Sequence, residues 1–598
     1  MLAPSGTLPD GPLPDVRSMM MEKRHMSVSK SLRARLNCNR CSRSKGHVAA
    51  GLKRISVTIQ LKRLIWVGLF LAGAAAEAQT WKPTPKEPLE RYDMPPAYIY
   101  RLDTSPRMVS PHGAFTSYQV NVDADGNNIV GDAANEPSIS QDPNNPLRMA
   151  VGWRQFDTWQ SNFRQGGVGY TIDGGVNWTF PGVLQPGVFR SDPVIASDDV
   201  GIFFYLSLRS DGSSFFCDDV WQSINGGENW SLISGKQGAI GGDKQWLTID
   251  KTCGPGRHFQ YQSWDTAGCD FGMFNRATDA GVTWQTPVSI PNNVQFGTLD
   301  VDSSGNVYVG GENAFAGGQW CARSSNAQIG NQTPTFDQNT PVNLGGELSG
   351  GGINPGGLSG QLFLAIDHSG TATNDNVYIL ASVQPPGGTF TEVMFVRSTD
   401  GGLTFSTPVR VNDDVNHQSK WHWFGTFAVA PDGRLDAVWY DTRNDAGNLL
   451  SQLFYSYSTD AGVTWSPNVS VSDAFNPQEG WPNQSKIGDY ITIVSDLTGG
   501  NVAYSATFNF NPTRGQHEQD VYSVRVCPNP PCAEPTPATV VPCGSPTPTA
   551  TPTATATATA TPTPTATSTP TATPTPRPTP TPRSEPTPRP RPTPHPRS

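Results

Sequence analysis

Between residues 117 and 526 the hydrophobic positions fall in short runs broken by turns rich in Gly, Asn and Asp, a pattern that predicts β-strands joined by hairpins. The runs recur as a unit: an apolar strand, a turn, a second strand ending in polar or aromatic residues, a third strand, a tight turn and a short fourth strand. Seven unit starts stand at 137–140, 193–196, 245–249, 297–301, 362–366, 424–429 and 490–494. Second runs follow, as at 148–153, 202–208, 307–309, 377–381 and 435–440. The seventh unit, ending at 520–526, has no outer strand of its own. The first run of the chain, 117–122, is expected to supply it, joining both ends in one sheet and removing an exposed edge.

The tight turn is spelled nearly alike five times. One copy reads Ser458-Thr459-Asp460-Ala461-Gly462-Val463-Thr464-Trp465, and the others place Asp173, Asn225, Asp279 and Asp400 at the third position. Here the Asp or Asn oxygen is expected to cap free backbone N–H groups, glycine supplies a positive φ, and the closing Trp or Phe turns inward as a packing anchor. The copies are spaced by 52, 54, 121 and 60 residues. The long gap predicts a degenerate copy at Ser324-Ser325-Asn326, ahead of Thr335-Phe336, and it also holds a Gly-rich loop at 345–360.

This turn resembles the Asp box of the sialidase-like β-propellers. The resemblance implies an all-β propeller whose boxes, at Asp173, Asn225, Asp279, Asp400 and Asp460, are structural and lie between third and fourth strands, on the face away from the active site. Seven units predict seven blades, one more than the six of sialidases, and a mis-split unit would restore six. The activity implied is that of a secreted exo-sialidase-type glycoside hydrolase acting on extracellular glycans or glycoconjugates. The alternative is a non-catalytic glycan- or protein-binding propeller at the cell surface, since fold does not fix function.

Composition limits the propeller to the middle of the chain. Residues 1–78 carry 13 Lys/Arg against 4 Asp/Glu. Within them Lys62-Arg63, an apolar stretch at 64–76 and Ala76-Glu77-Ala78 read as a secretory signal with Gln79 as first mature residue, and the stretch is too short to span a bilayer. The residues ahead of Lys62 suggest a start site assigned too early, and Cys38-x-x-Cys41 has no second pair to complete a zinc site. Residues 79–116 form an irregular Pro-rich lead-in, 117–532 the propeller, and 533–598 a low-complexity Pro/Thr tail read as an extended spacer that could associate with a cell envelope. Residues 79–532 hold 24 Lys/Arg and 45 Asp/Glu, a charge of −21 that excludes nucleic acid as a natural partner. Seven cysteines in the core and its edge predict disulfides, with Cys253–Cys269 and Cys527–Cys532 the pairs suggested by proximity.

In a propeller, residues just before the inner strands and just after the second strands meet at one mouth. The first set offers Glu136, Asp192, Asp243, Asp489 and Trp423, and the second Trp153, Arg154, Arg209, Trp264, Glu312, Tyr440, Asp441 and Arg443. Carboxylates can serve as acid and base, aromatic rings can face sugars, and arginines can fork onto an anion. By resemblance, Arg154, Arg209 and Arg443 would hold a substrate carboxylate and Tyr440, with Glu312 or Asp441, would supply the nucleophile. The family's Arg-Ile-Pro motif is absent, the corresponding region reading Asn135-Glu136-Pro137-Ser138-Ile139. No cofactor is required by this chemistry. Calcium is the one cation suggested, by Asp123 and Asp125 in a half-loop that lacks its downstream Glu.

Overall fold

The structure is a computed structural model and describes residues 92–97, 103–210, 212, 216–538 and 543. The signal-like segment, the Cys38-x-x-Cys41 pair and nearly all of the Pro/Thr tail lie outside them. The described residues form a seven-bladed all-β propeller. Its inner strands are Ala133–Gln141, Phe189–Ser197, Trp246–Ile249, Leu299–Val301, Phe363–Ile366, His422–Val429 and Thr492–Asp496. Each expected unit start falls on one of them. No helix among the described residues is long and apolar enough to cross a membrane.

The core is built between blades, because each sheet has two apolar faces to cover. Val194, Phe204, Leu206 and Val220 of blade 2 pack with Leu247, Ile249 and Trp284 of blade 3, and similar clusters join blades 4 and 5, 5 and 6, and 6 and 7. An open row of such sheets would leave two apolar faces in water, so the ring must close. It closes in blade 7, where Val109–His112 and Phe115–Gln119 add to Asp520–Val526, Gly499–Ala506 and Thr492–Asp496. Ser117 pairs with Val524 and Gln119 with Tyr522, and the Val120 amide donates to the Val521 carbonyl at 2.8 Å. The outer strand of the last blade thus comes from the start of the propeller, as the unpaired seventh unit required.

The five repeated turns fold alike. Asp460 Oδ1 accepts from the Ser458 hydroxyl (2.8 Å) and the Thr464 amide (2.9 Å), while Oδ2 accepts from the Thr464 hydroxyl (2.6 Å). Asp400 repeats all three contacts, and Asp173, Asn225 and Asp279 each cap the amide four residues on. The indoles of Trp178, Trp230 and Trp284 donate to the carbonyl three residues back. Asn326 makes the degenerate copy, accepting from Ser324 Oγ (3.1 Å) and from the amide of Thr335 across a longer loop (2.8 Å). Arg276 of the neighbouring blade organises that loop by donating to the carbonyls of Ala327, Ile329, Gly330 and Gln332.

A second repeat was not evident in the sequence. Each blade enters its inner strand through one residue with positive φ: Glu136 (57°), Asp192 (47°), Lys244 (56°), Phe296 (55°), Gly360 (138°), Phe424 (56°) and Gly488 (103°). Register shifts between Asn135 and Ser138, Ser191 and Val194, and Trp423 and Thr426 mark it as a β-bulge. Strain at one site would suggest a function, but seven-fold repetition marks this one as architecture. Gly488 shows why the position is crowded, since a Cβ there would lie 2.9–3.0 Å from the backbone and Cβ of Glu136 in the next blade.

Cys527 pairs with Cys532 as expected, but Cys253 does not pair with Cys269. Cys269 bonds Cys217, and Cys253 bonds Cys543 in the tail. Cys253 follows the inner strand of blade 3 and Cys269 follows its second strand Gln260–Ser263, so the two lie at opposite ends of the blade. The parallel bridge Phe216–Gly268 brings Cys217 to Cys269 instead.

Candidate functional site

The mouth is the end of the ring where inner strands begin, and of the expected residues Glu136, Arg154, Asp192, Asp243 and Asp489 come together there. At its centre is one charged network. Arg154 meets Glu136 at 3.0 Å and donates from Nε to Asn135 Oδ1 at 2.9 Å. Lys244 Nζ lies 3.2 Å from Asp243, 3.4 Å from Asp192 and 3.4 Å from Asp489, and Lys486 lies 2.8 Å from Asp489. Every one of these side chains is buried. Glu136, Asp192, Asp243 and Asp489 are thus set among Arg154, Lys244 and Lys486.

The titration directions follow from that arrangement. Burial drives the Glu136 carboxyl well above its ordinary range, against the pull of Arg154 and with repulsion from Asp192 and Asp489. Burial opposes ionisation of Asp192 too, but Lys244, Arg154 and Lys486 outweigh it and hold that carboxyl below the usual range. Burial and neighbouring charge thus push the Glu136 and Asp192 carboxyls in opposite directions. Lys486 escaped the sequence reading, although its place two residues before the bulge glycine of blade 7 is a usable signal.

The Gly-rich loop covers the network. It leaves the outer strand of blade 4, Gln338–Val342, forms a small hairpin of Gly350–Gly351 and Asn354–Leu358, and reaches blade 7. There the Leu358 amide donates to Asp489 Oδ1 (3.0 Å), Asn354 Nδ2 to the Gly488 carbonyl (2.8 Å), and the Gly356 amide to the Ser485 carbonyl (2.8 Å). A Cβ on Gly357 would meet Asp489 Oδ1 and Asn354 Nδ2 at 2.6 Å, so only glycine permits this approach.

Tyr440 is fully buried, donates to the Ser505 carbonyl (2.5 Å), accepts from the Ser505 amide (3.0 Å) and packs against Trp423. Burial lifts its hydroxyl far above the ordinary phenol range. Glu312 is buried at the end of the second strand of blade 4, paired in register with Gln295 and Gln319. The three tryptophans expected to face a sugar are core residues: Trp153 donates to Gln155 (2.7 Å), Trp423 to Ser451 (3.2 Å), and Trp264 packs beneath Gly242 and Gly268.

The three arginines hold three different acids. Arg154 belongs to the central network. Arg209 is 38% exposed and shares Asp219 with Arg190 (3.3 and 2.8 Å). Arg443 forks onto Asp441 through Nε (2.8 Å) and Nη2 (2.7 Å) and pairs with Asp413 (2.6 Å).

Around Arg443 lies a compact set, Asp414, His422 and Asp441, whose ligand atoms fall within 4.8 Å of one another. His422 Nδ1 faces the Thr391 carbonyl at 2.8 Å and Nε2 faces Asp414 at 2.9 Å. Burial alone would lower its pKa, but Asp414 and Asp441 raise it. His422 and the Arg443 guanidinium both lie against Asp414 and Asp441. In the half-loop of Asp123 and Asp125, Asp123 Oδ1 accepts from the amides of Asp125 (2.9 Å) and Asn127 (2.7 Å).

No protein-family model and no curated protein sequence matches the chain. Among solved structures, the chain is similar to a protein of unknown function from Dyadobacter fermentans (12% identity over 69% of this chain and 98% of that one, TM-score 0.38). It is similar also to the Hadza microbial sialidase Hz136 (12% identity, 66% of this chain, TM-score 0.34), of which it spans 65%, less than two thirds. A third is the BP39L lectin from Burkholderia pseudomallei (10% identity over 60% of this chain and 96% of that one, TM-score 0.38).

Proposed function

We propose that this protein is a secreted or cell-surface propeller of the sialidase-like, Asp-box type that binds extracellular glycans and does not hydrolyse them. The observation that carries the reading is the state of the mouth. Glycoside hydrolysis needs an acid and a base or nucleophile that reach the sugar, whereas Glu136, Asp192, Asp243 and Asp489 are buried, bound to cations of their own and roofed by the Gly-rich hairpin. Tyr440 is locked to Ser505 and cannot serve as nucleophile. An exo-sialidase would need its arginines on a single anion, and here each is committed to a separate acid.

The capped turns support the Asp-box assignment, and three disulfides suit an oxidising, extracellular setting. In the same reading the Pro/Thr tail is a spacer that holds the propeller to a cell envelope. Two measurements test the activity: incubation of secreted protein with fluorogenic sialosides and neutral glycosides, and binding to a glycan microarray. We expect no release of fluorophore above buffer and retention on glycan spots. Turnover that disappears in Glu136→Gln or Asp192→Asn would overturn the non-catalytic reading.

A further inference from the structure

One opening on the mouth face lies off the axis, between blades 7 and 1. It is a cleft of about 710 Å³ lined by Trp159, Trp481, Gln160, Asn483, Gln516 and Arg514 among others. Trp159 follows the second strand of blade 1, residues 478–485 precede the inner strand of blade 7, and Arg514 and Gln516 belong to the excursion between its second and third strands. All three segments emerge on the same face as the central network.

The cleft is fixed from within. The Arg514 guanidinium lies 4.2 Å over the Trp159 ring, and its Nη2 donates to the Trp481 carbonyl at 2.9 Å. Trp481 donates its indole N–H to the Pro477 carbonyl (2.8 Å), which fixes the ring, and the Asn483 amide donates to the Ser161 carbonyl (3.3 Å). Glu479 is held by His517, through its amide at 2.7 Å and its ring at 3.1 Å.

We infer that this cleft is a binding site for a neutral oligosaccharide, an inference that rests on the glycan-binding reading above. Glu479 is paired with His517, and the Arg514 guanidinium is stacked on Trp159 with Nε and Nη1 buried rather than exposed to a ligand anion. What the cleft offers a ligand is the half-buried rings of Trp159 and Trp481 beside the amides of Gln160, Asn483 and Gln516, which have no side-chain hydrogen bonds to other described residues. An amide both donates and accepts, as a sugar hydroxyl does, and an indole face covers the apolar face of a pyranose. A carboxylate or sulfate would call for exposed cations, and the −21 charge of residues 79–532 would repel it on approach.

The test is calorimetric titration of the secreted full-length protein with cellohexaose, xylohexaose, mannohexaose, hexagalacturonate and sialyllactose, on wild type, Trp481→Ala, Gln516→Ala and Gln160→Ala. We expect at least one neutral hexaose to bind, Trp481→Ala to weaken it about tenfold, and each exposed-amide variant to weaken it several-fold. The amide variants, with melting temperatures unchanged, keep the test valid should Trp481→Ala fail to fold. Binding of the acidic probes alone, or of none, overturns the inference. So does a neutral hexaose that binds all three variants as tightly as wild type, an outcome that leaves the non-catalytic reading standing with its site elsewhere. Cleavage of a hexaose whose binding depends on Trp481 would do the reverse, sinking the non-catalytic reading while keeping the cleft.

Discussion

A carboxylate that accepts hydrogen bonds from its own turn is unavailable for chemistry, and this protein places many of its acids in that position. Besides the repeated third-to-fourth-strand turns, the inner strands end in Asp142, Asp198, Asp250, Asp302, Asp367 and Asp496, and each accepts from an amide two residues on. Removing one such cap by Asp460→Ala should cost about 1–2 kcal/mol in urea denaturation and leave glycan binding unchanged. A folded variant that had lost binding would place the turn at the ligand. Acid should weaken these turns, because hydrogen bonding holds Asp400 and Asp460 below the usual carboxylate range, so their contribution is lost as pH falls. Asp520 behaves oppositely. Burial, aided by Glu518, raises its pKa to about 7. Across the window from the ordinary carboxylate range to about 7, the folded chain keeps a proton that the unfolded chain has lost, so stability falls as pH rises. Comparing denaturation midpoints of wild type and Asp520→Asn through that window should show the gap between them changing with pH, and a constant gap would refute the assignment.

At the scale of the element, the blade entrance combines strain with charge. Lys244 sits at positive φ and brings its ammonium to three carboxylates. Lys244→Met should therefore destabilise by about 3–5 kcal/mol, since the acids it neutralises stay buried. A loss of less than 1 kcal/mol would mean that water reaches the network. Strand runs and the repeated capped turns were legible in the sequence because local chemistry specifies them: an Asp, a Gly and an aromatic residue at fixed offsets make the same turn in each blade that carries them. The bulge was not, because Glu136, Asp192, Lys244, Phe296, Gly360, Phe424 and Gly488 share a backbone conformation and no side-chain property. That Glu136, Arg154, Asp192, Asp243 and Asp489 would meet followed from strand order. Their burial did not, because it depends on the hairpin from blade 4 that settles on Asp489, and no local pattern announces that contact. Nor did any spacing join Cys253 to Cys543, 290 residues away.

For the whole molecule, blade count followed from repeat count, and the missing strand of the seventh unit foretold how the ring closes. Tail attachment is a further property at this scale. Pro535 packs beside Gly174 in the repeated turn of blade 1, Thr498 donates to the Glu534 carbonyl at 2.7 Å, and the Cys253–Cys543 bond fixes the chain again at blade 3. Cys543→Ser should leave the propeller folded while moving the first proteolytic cut in the tail toward residue 536, as mass spectrometry of limited digests would show. An unchanged cut site would mean that this bond does not secure the tail.

Closure by Val109–His112 and Phe115–Gln119 also sets an order of events in time. Val109–His112 and Phe115–Gln119 can pair with each other at once, but the other edge of Phe115–Gln119 has no partner until Asp520–Val526 emerges some four hundred residues later. Until then the growing arc ends in two bare sheets, one at each side, and a neighbouring nascent arc can bind either as readily as its own missing end. Local hairpins can form early, but the contact that makes the object a ring is the last and the most distant in sequence, which is slow to find and costly in entropy. A chain lacking residues 103–122 should consequently appear on size exclusion as oligomers joined edge to edge, and a peptide of those residues supplied in trans during refolding should restore the monomer. If the shortened chain elutes as a monomer with the wild-type melting temperature, the ring is held shut by something other than its first strands.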